Sequence, residues 1–275
     1  PIRPAPMSEA DPGSRIEGIR QLGNVVRAMT GIAGARARTA RAQIAAVEGY
    51  ADTLGDALAQ AMAGLAGDAP PAPGRPAVVV FCAEQGFVGG FSERVLEAVE
   101  ADRAGGDLFL IGSRGAAIAA GRGLVPVWSA AMPARSASLP QFADQVLAAV
   151  FAQGDLRPVS VVHTVWARGQ GRVERLALFP LVAASDAPER AAPLANLPAA
   201  DLATSLSLDR LHALMTRAAL RAFVAENEAR MAAMAAASRQ IDEELAVLEA
   251  LARRMRQEAI TSEIIEIAAG AMAGR

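Results

Sequence analysis

Residues 14–58 read SRIEGIRQLGNVVRAMTGIAGARARTARAQIAAVEGYADTLGDAL. Apolar and small residues fall at Ile16, Ile19, Gly23, Val26, Thr30, Ala33, Ala37, Ala40, Ile44, Val47, Ala51, Leu54 and Leu58. The steps alternate three and four, which averages to the 3.5-residue period of a left-handed coiled coil. Ser14 with Glu17 three residues later forms a candidate capping box. Pro70, Pro71, Pro73 and Pro76 end the pattern, because proline removes a helix donor and clashes with the preceding turn. The block predicts one long helix over residues 14–67.

The other end of the chain carries the same period. Residues 207–269 contain neither proline nor glycine, and Ile241, Leu245, Leu248, Ala252, Met255, Ala259 and Ser262 repeat the same period. Ser207 or Asp209 is the expected cap. Two such helices at opposite ends of one chain can pair antiparallel, giving a coiled-coil shaft from residues 14–67 and 207–275. Residues 1–13 are Pro-rich without the apolar stretch of a signal peptide. They are expected to be a disordered extension, with Met7 a candidate natural start.

Between the helices the period changes. Strands are predicted at Ala77–Cys82, Asp107–Ile111, Val125–Trp128, Val159–Trp166 and Arg172–Phe179, and helices at Phe91–Arg103, Ser113–Gly121 and Leu139–Phe151. This alternation implies a parallel sheet. Ala167–Gly171 is too short for a crossover, so the last two strands form a hairpin and the sheet is mixed. The expected architecture is α/β: an antiparallel coiled coil of the N- and C-terminal helices, plus a five-stranded Rossmann-like domain over residues 77–182. An Ala/Pro linker follows at 183–206.

Composition narrows the chemistry. All 27 basic residues are arginine, so a Walker A lysine, a Schiff-base lysine and a lysine base are excluded. Cys82 is the single cysteine, and His163 and His212 lie far from it, so neither an internal disulfide nor a zinc site is expected. No metal, cofactor or catalytic residue is assigned. A net charge of −2 with 4% aromatic residues argues against nucleic acid as a partner. No apolar run of about 18 residues predicts a transmembrane helix.

Two features invite a sharper reading. The turn Cys82–Ser92 holds Gly86, Gly89 and Gly90 where a nucleotide-binding domain places its phosphate loop. It matches neither the dinucleotide nor the P-loop spacing, and a tight strand-to-helix turn needing glycine dihedrals is the expected reading. Arg15, Arg20, Arg27, Arg36, Arg38 and Arg41 face a lone acid, Glu17, between residues 15 and 41. They form either a solvated helix face or a stripe for an acidic partner. Three functions stay open on these grounds: a long helical shaft in a larger machine, a small nucleotide- or phosphate-binding protein with helical arms, and a non-motor coiled-coil scaffold.

Four stretches resemble the gamma subunit of the F-type rotary ATP synthase. Residues 27–36 (RAMTGIAGAR) are similar to K-A-M-x-M-V-A-A-x-K, and 83–92 (AEQGFVGGFS) to S-D-R-G-L-C-G-G-F-N. Residues 230–238 (RMAAMAAAS) resemble R-M-x-A-M-x-x-A-T, and 256–267 (RQEAITSEIIEI) resemble R-Q-A-x-I-T-x-E-L-x-E-I. Arginine stands for the family's lysines at Arg27 and Arg36, and Glu84-Gln85 replaces its Asp-Arg, as in a divergent bacterial member of a main or second ATPase system. The resemblance implies a non-catalytic central-stalk rotor that couples ion flow to ATP synthesis or hydrolysis. It implies contacts with the alpha and beta ring subunits through Met29, Arg36, Arg230, Arg256, Gln257 and Thr261. It also implies an upper bearing at Ile260, Ile264, Ile265 and Ile267, an epsilon subunit and membrane c-ring at the foot, and a peripheral place on the cytoplasmic face of the inner membrane.

Overall fold

A computed structural model describes residues 12–63, 74–100, 102, 105–152, 157–181 and 196–273. Residues 1–11, 64–67 and 183–195, which carry most of the expected extension, the end of the first helix and much of the linker, lie outside the described residues. The described residues fall into two compact units, one of the described residues within 12–31 and 233–273 and one of those within 32–232.

In the larger unit the strands β1 (Ala77–Phe81), β2 (Asp107–Ile111), β3 (Trp128–Ala130), β4 (Val159–Ala167) and β5 (Gln170–Phe179) form one sheet in the order β3-β2-β1-β4-β5. β1 is parallel to both β2 and β4, β3 is parallel to β2, and β5 is antiparallel to β4. β1 is buried along its whole length, as a central strand covered on both faces must be. Its side chains alternate between two cores. Val78 and Val80 join Leu110 and Val162 against α2 (Phe91–Glu97) and α3 (Ser113–Gly121). Val79 and Phe81 join Phe109, Ile111, Val161 and Leu178 on the other face. There they meet α4 (Leu139–Phe151) and, from this unit, the segments 32–63 of α1 (Pro12–Ala63) and 199–232 of α5 (Ala199–Ala273). Ala40, Ala51 and Leu54 of α1 and Leu211, Met215, Ala218 and Phe223 of α5 belong to this core. These stretches of the expected shaft are therefore packed with the sheet in one compact unit.

Several boundaries differ from expectation. β3 begins at Trp128, leaving Val125 85% exposed. Pro126 cannot donate to the ladder, and pairing opens only where the Val127 N–H reaches the Leu108 carbonyl at 2.9 Å. α2 stops at Glu97 rather than Arg103, since Val99 and Asp102 bond the carbonyls three residues back, a tightening that ends α-helices. α1 starts at Pro12, ahead of the expected Ser14 cap. α5 starts at Ala199 rather than Ser207: Leu202 already bonds the Pro198 carbonyl at 3.0 Å, and the Ser207 hydroxyl donates to Ala203 at 2.7 Å inside the helix. Residues 199–206, expected as linker, are helical.

In the smaller unit α1 and α5 pair antiparallel. Ile19, Val26 and Met29 share a cluster with Met234, Ala237, Ile241 and Leu245, and Gly23 faces Ile241. Arg20 bonds Glu249 at 2.7 Å, and Arg15 crosses the same seam to Glu244 at 3.4 Å. The thirteen seam positions read from the sequence between Ile16 and Leu58 are all buried or half-buried.

Candidate functional site

The glycine-rich turn after β1 is a polar junction in the larger unit. The Glu84 carboxylate reaches the start of α3, accepting from the Ser113 N–H at 3.0 Å, the Ser113 hydroxyl at 2.7 Å and the Met132 N–H at 2.8 Å. Burial raises its pKa, but these three donors outweigh burial and hold it below the ordinary value. The Ala83 N–H is taken by the buried Ser92 hydroxyl, and the Ala83 carbonyl accepts from Gly115.

From the other side α5 supplies Glu226 and Arg230, which are 6% and 5% exposed. Glu226 accepts the N–H groups of Glu84 and Gln85 at 3.1 and 3.3 Å. Arg230 donates to the carbonyls of Gln85 and Gly86 at 3.4 Å and to Glu226 at 2.6 Å. Ala225 and Ala229 of α5 pack on Ala83, Val88 and Phe91.

This geometry weakens the support for a phosphate loop. An anion at such a turn needs backbone donors. Here the Glu226 carboxylate already takes the N–H groups of residues 84 and 85. Cys82 is equally spent: it is 3% exposed, and burial pushes its thiol up to about 12, so it is a packed side chain rather than a nucleophile.

The other residues named from the sequence are dispersed. Met29 is half-buried within the seam cluster of the smaller unit. Arg36 is half-buried in the larger unit and, with the exposed Arg38, has no ion-pair partner among the described residues. Arg15, Arg20 and Arg41 are neutralised within the chain by Glu244, Glu249 and Glu228, so the basic stripe is narrower than its sequence. Arg230, expected at a partner surface, faces inward and is used up by the turn.

The far end of α5 is open. Every described side chain from Arg253 to Ala269 is exposed, Arg256, Gln257 and Thr261 among them. Ile260, Ile264, Ile265 and Ile267 are 52–66% exposed. The expected seam positions Met255, Ala259 and Ser262 are exposed as well, because the described part of α1 begins at Pro12 and leaves no described α1 residue opposite them. Among the described residues no helix is long and apolar enough to cross a membrane.

Sequence reading passed over Glu226 and the inward role of Glu84. Glu226 stands four residues before Arg230, the spacing of an intrahelical ion pair, and that signal was available.

A family model described as ATP synthase matches residues 10–273. The chain is 31% identical to the ATP synthase gamma chain of Frankia casuarinae, covering 94% of this chain and 95% of that one. It is 26% identical to the ATP synthase gamma chain of Moorella thermoacetica over the same shares. Among solved structures it resembles a chain of the Euglena gracilis mitochondrial ATP synthase assembly of OSCP, F1 and c-ring. That match has a TM-score of 0.65 and 13% identity, covering 95% of this chain and 93% of that one. A chain of the rotor of the same organism's enzyme matches with a TM-score of 0.63 and 13% identity, over 90% and 97%.

Proposed function

The chain belongs to the ATP synthase gamma-chain family, and from that premise we propose that it is the non-catalytic central-stalk rotor of an F-type ATP synthase. It couples ion flow through a membrane c-ring to ATP synthesis or hydrolysis in a ring of alpha and beta subunits. Turning requires a stiff element with a surface that partners can slide past and push. The observation that carries the reading is the exposed run Arg253–Ala269 of α5, continuing beyond a seam that pairs residues 12–31 with 233–252. Four exposed isoleucines within that run form an apolar surface of the kind that marks a protein–protein contact.

In this reading Ile260, Ile264, Ile265 and Ile267 turn in the upper bearing of the ring. Met29, Arg36, Arg256, Gln257 and Thr261 meet the ring subunits, and Arg230 serves inside the chain. The α/β unit stands at the foot with the epsilon subunit and the c-ring. The protein is peripheral, on the cytoplasmic face of a bacterial inner membrane. The sequence holds no lysine and no P-loop, and Glu226 already takes two N–H groups of the glycine-rich turn, so in this reading the ring supplies the catalysis.

The test is reconstitution. Alpha and beta subunits assembled with this chain and the membrane sector should show ATP-driven ion pumping, and the same preparation without the chain should not. The purified chain alone should turn over no ATP. Pumping that does not depend on the chain, or robust hydrolysis by the chain alone, would overturn the proposal.

A further inference from the structure

We infer that Glu226 and Arg230 form a register lock between α5 and the sheet, through which turning force passes from one to the other without slip. The inference rests on the rotor reading above and adds to it the residues that bear the load.

Where α5 meets the turn after β1, its apolar contribution is Ala225 and Ala229. Methyl groups against Ala83, Val88 and Phe91 give contact area but little directional hold, since burial of apolar surface is non-directional. The direction comes from the polar pair. Glu226 accepts two backbone N–H groups, of residues 84 and 85, while Arg230 donates to two carbonyls, of residues 85 and 86. Moving the helix by one residue shifts these side chains by about 1.5 Å along the axis and about 100° around it. Every one of those bonds would break; the Glu226–Arg230 pair travels with the helix, but two N–H groups and two carbonyls of the turn are left without their partners. Buried groups left without partners are costly, so slip is opposed at this point.

The turn is itself braced. Through Glu84 it holds Ser113, which follows β2, and Met132, which follows β3. Through Ala83 it holds Ser92 and Gly115. A force on α5 at Glu226 and Arg230 therefore reaches the carboxyl ends of three parallel strands within a few bonds. Stability alone does not call for this arrangement. A buried ion pair is often matched or bettered by apolar residues of similar size, and its best-attested use is to fix register.

The experiment uses the chain assembled with its ring and membrane sector in vesicles, and reads ions pumped per ATP hydrolysed. The variants are E226L/R230M, the swapped pair E226R/R230E, and D107N/R157M. The last removes a largely buried pair within the sheet unit, Arg157–Asp107, which ties the start of β2 to the chain entering β4. Wild-type complex must pump; if it does not, the rotor reading fails and the lock is not what failed. With wild type pumping, E226L/R230M should lower the pumping-to-hydrolysis ratio about threefold while hydrolysis persists. The swapped pair should not restore the ratio, because the backbone groups fix which charge goes where. D107N/R157M should leave it at the wild-type value. An unchanged ratio in E226L/R230M, or an equal fall in D107N/R157M, overturns the inference. If E226L/R230M does not assemble, E226Q is judged by the same ratio. In parallel, hydrogen exchange of the full wild-type chain must find the Glu84 and Gln85 amides protected relative to Gly89. Equal exchange at these positions also overturns it.

Discussion

The Glu84 carboxylate caps the first turn of α3 through Ser113, taking its N–H at 3.0 Å and its hydroxyl at 2.7 Å. An acidic side chain at a helix N-terminus is stabilised by the exposed N–H dipoles, by about 0.3–1 kcal/mol at a partly exposed site. Glu84→Gln keeps the shape and loses the charge, so the variant should be less stable by about that amount at neutral pH. The folded-state pKa of Glu84 lies below its ordinary 4.5. Its contribution is therefore present above the unfolded value and is lost as pH falls through the lowered one. Thermal denaturation at pH 7 and pH 3 checks this, with the gap between variant and wild type closing at the lower pH. A gap of equal size at both would remove the charge from the explanation.

His163 lies in β4 at 2% exposure, and neither ring nitrogen has a hydrogen-bond partner. Burial, reinforced by Arg221 and Arg217 of α5, pushes its pKa down to about 4. Glu174 stands opposite it on β5, and Glu48 of α1 pairs with Arg221. The unfolded chain binds the proton near 6.5, so the folded protein loses stability as pH drops from about 6.5 to about 4, and no further from this source below that. His163→Leu removes both the orphaned nitrogens and the proton linkage. It should gain about 1–3 kcal/mol at pH 8 and a larger margin at pH 5. Urea melts at the two pH values measure it, and a margin that does not grow on acidification refutes the linkage.

Reversing Arg36 and Arg38 to Glu should weaken assembly with the ring. Three of the six stripe arginines are already neutralised within the chain, which leaves these two among those able to meet an acidic partner. Exposed pairs contribute about 0–1 kcal/mol each, so partial loss is expected, masked as salt shortens the screening length. The gap between variant and wild type in co-sedimentation should be wide at low salt and close at high salt. Wild-type behaviour of the variant at low salt would assign the stripe to solvent.

How far the residues alone could be read varies along the chain for a physical reason. Periodicity identifies a face, and from Ile16 to Leu58 every seam position on that face is covered. Periodicity does not say whether anything lies opposite. Met255, Ala259 and Ser262 continue the rhythm of Ile241 and Leu248, yet they are exposed. Short apolar runs mark β1, β2 and β4 to within a residue. The run Val125–Trp128 misleads, because Pro126 interrupts the ladder. The direction of Arg230 was out of reach, since an arginine turns inward only where tertiary contacts supply acceptors. Those acceptors are backbone carbonyls some 145 residues away.

Two kinds of glycine should respond oppositely to alanine. A Cβ at Gly18 or Gly31 would meet nothing within 4 Å, so each substitution should gain about 1 kcal/mol of helix propensity. A Cβ at Gly115 would lie 2.0 Å from the Cys82 Cβ, a distance that forces α3 away from β1. Gly115→Ala should therefore destabilise the sheet unit, and Cys82→Gly in the same chain should relieve the clash. Thermal melts of the four variants test the contrast, which fails if Gly18→Ala is destabilising or Gly115→Ala is neutral.

Leu248→Asp should open the pairing of residues 12–31 with 233–252 and spare the sheet unit. Leu248 is 7% exposed, and half-buried Leu245 one turn before it belongs to the seam cluster with Val26 and Ile241. Truncating a buried leucine costs about 2–5 kcal/mol, and an unpaired carboxylate in its place adds desolvation to that loss. Pairing here rests on few large side chains, because Gly23 and Ala237 contribute almost no apolar bulk. Residues 12–31 also carry three glycines, Gly18, Gly23 and Gly31, besides Gly13 in the first turn. Without a partner they form a poor helix. The sheet unit keeps its own two large cores on either face of β1, neither of which includes a residue beyond Val224. Circular dichroism should lose helix signal, while hydrogen exchange keeps β1, β2 and β4 protected. The leucine would have to be reassigned to a tolerant surface if the variant retained full helicity and wild-type protection within residues 12–31.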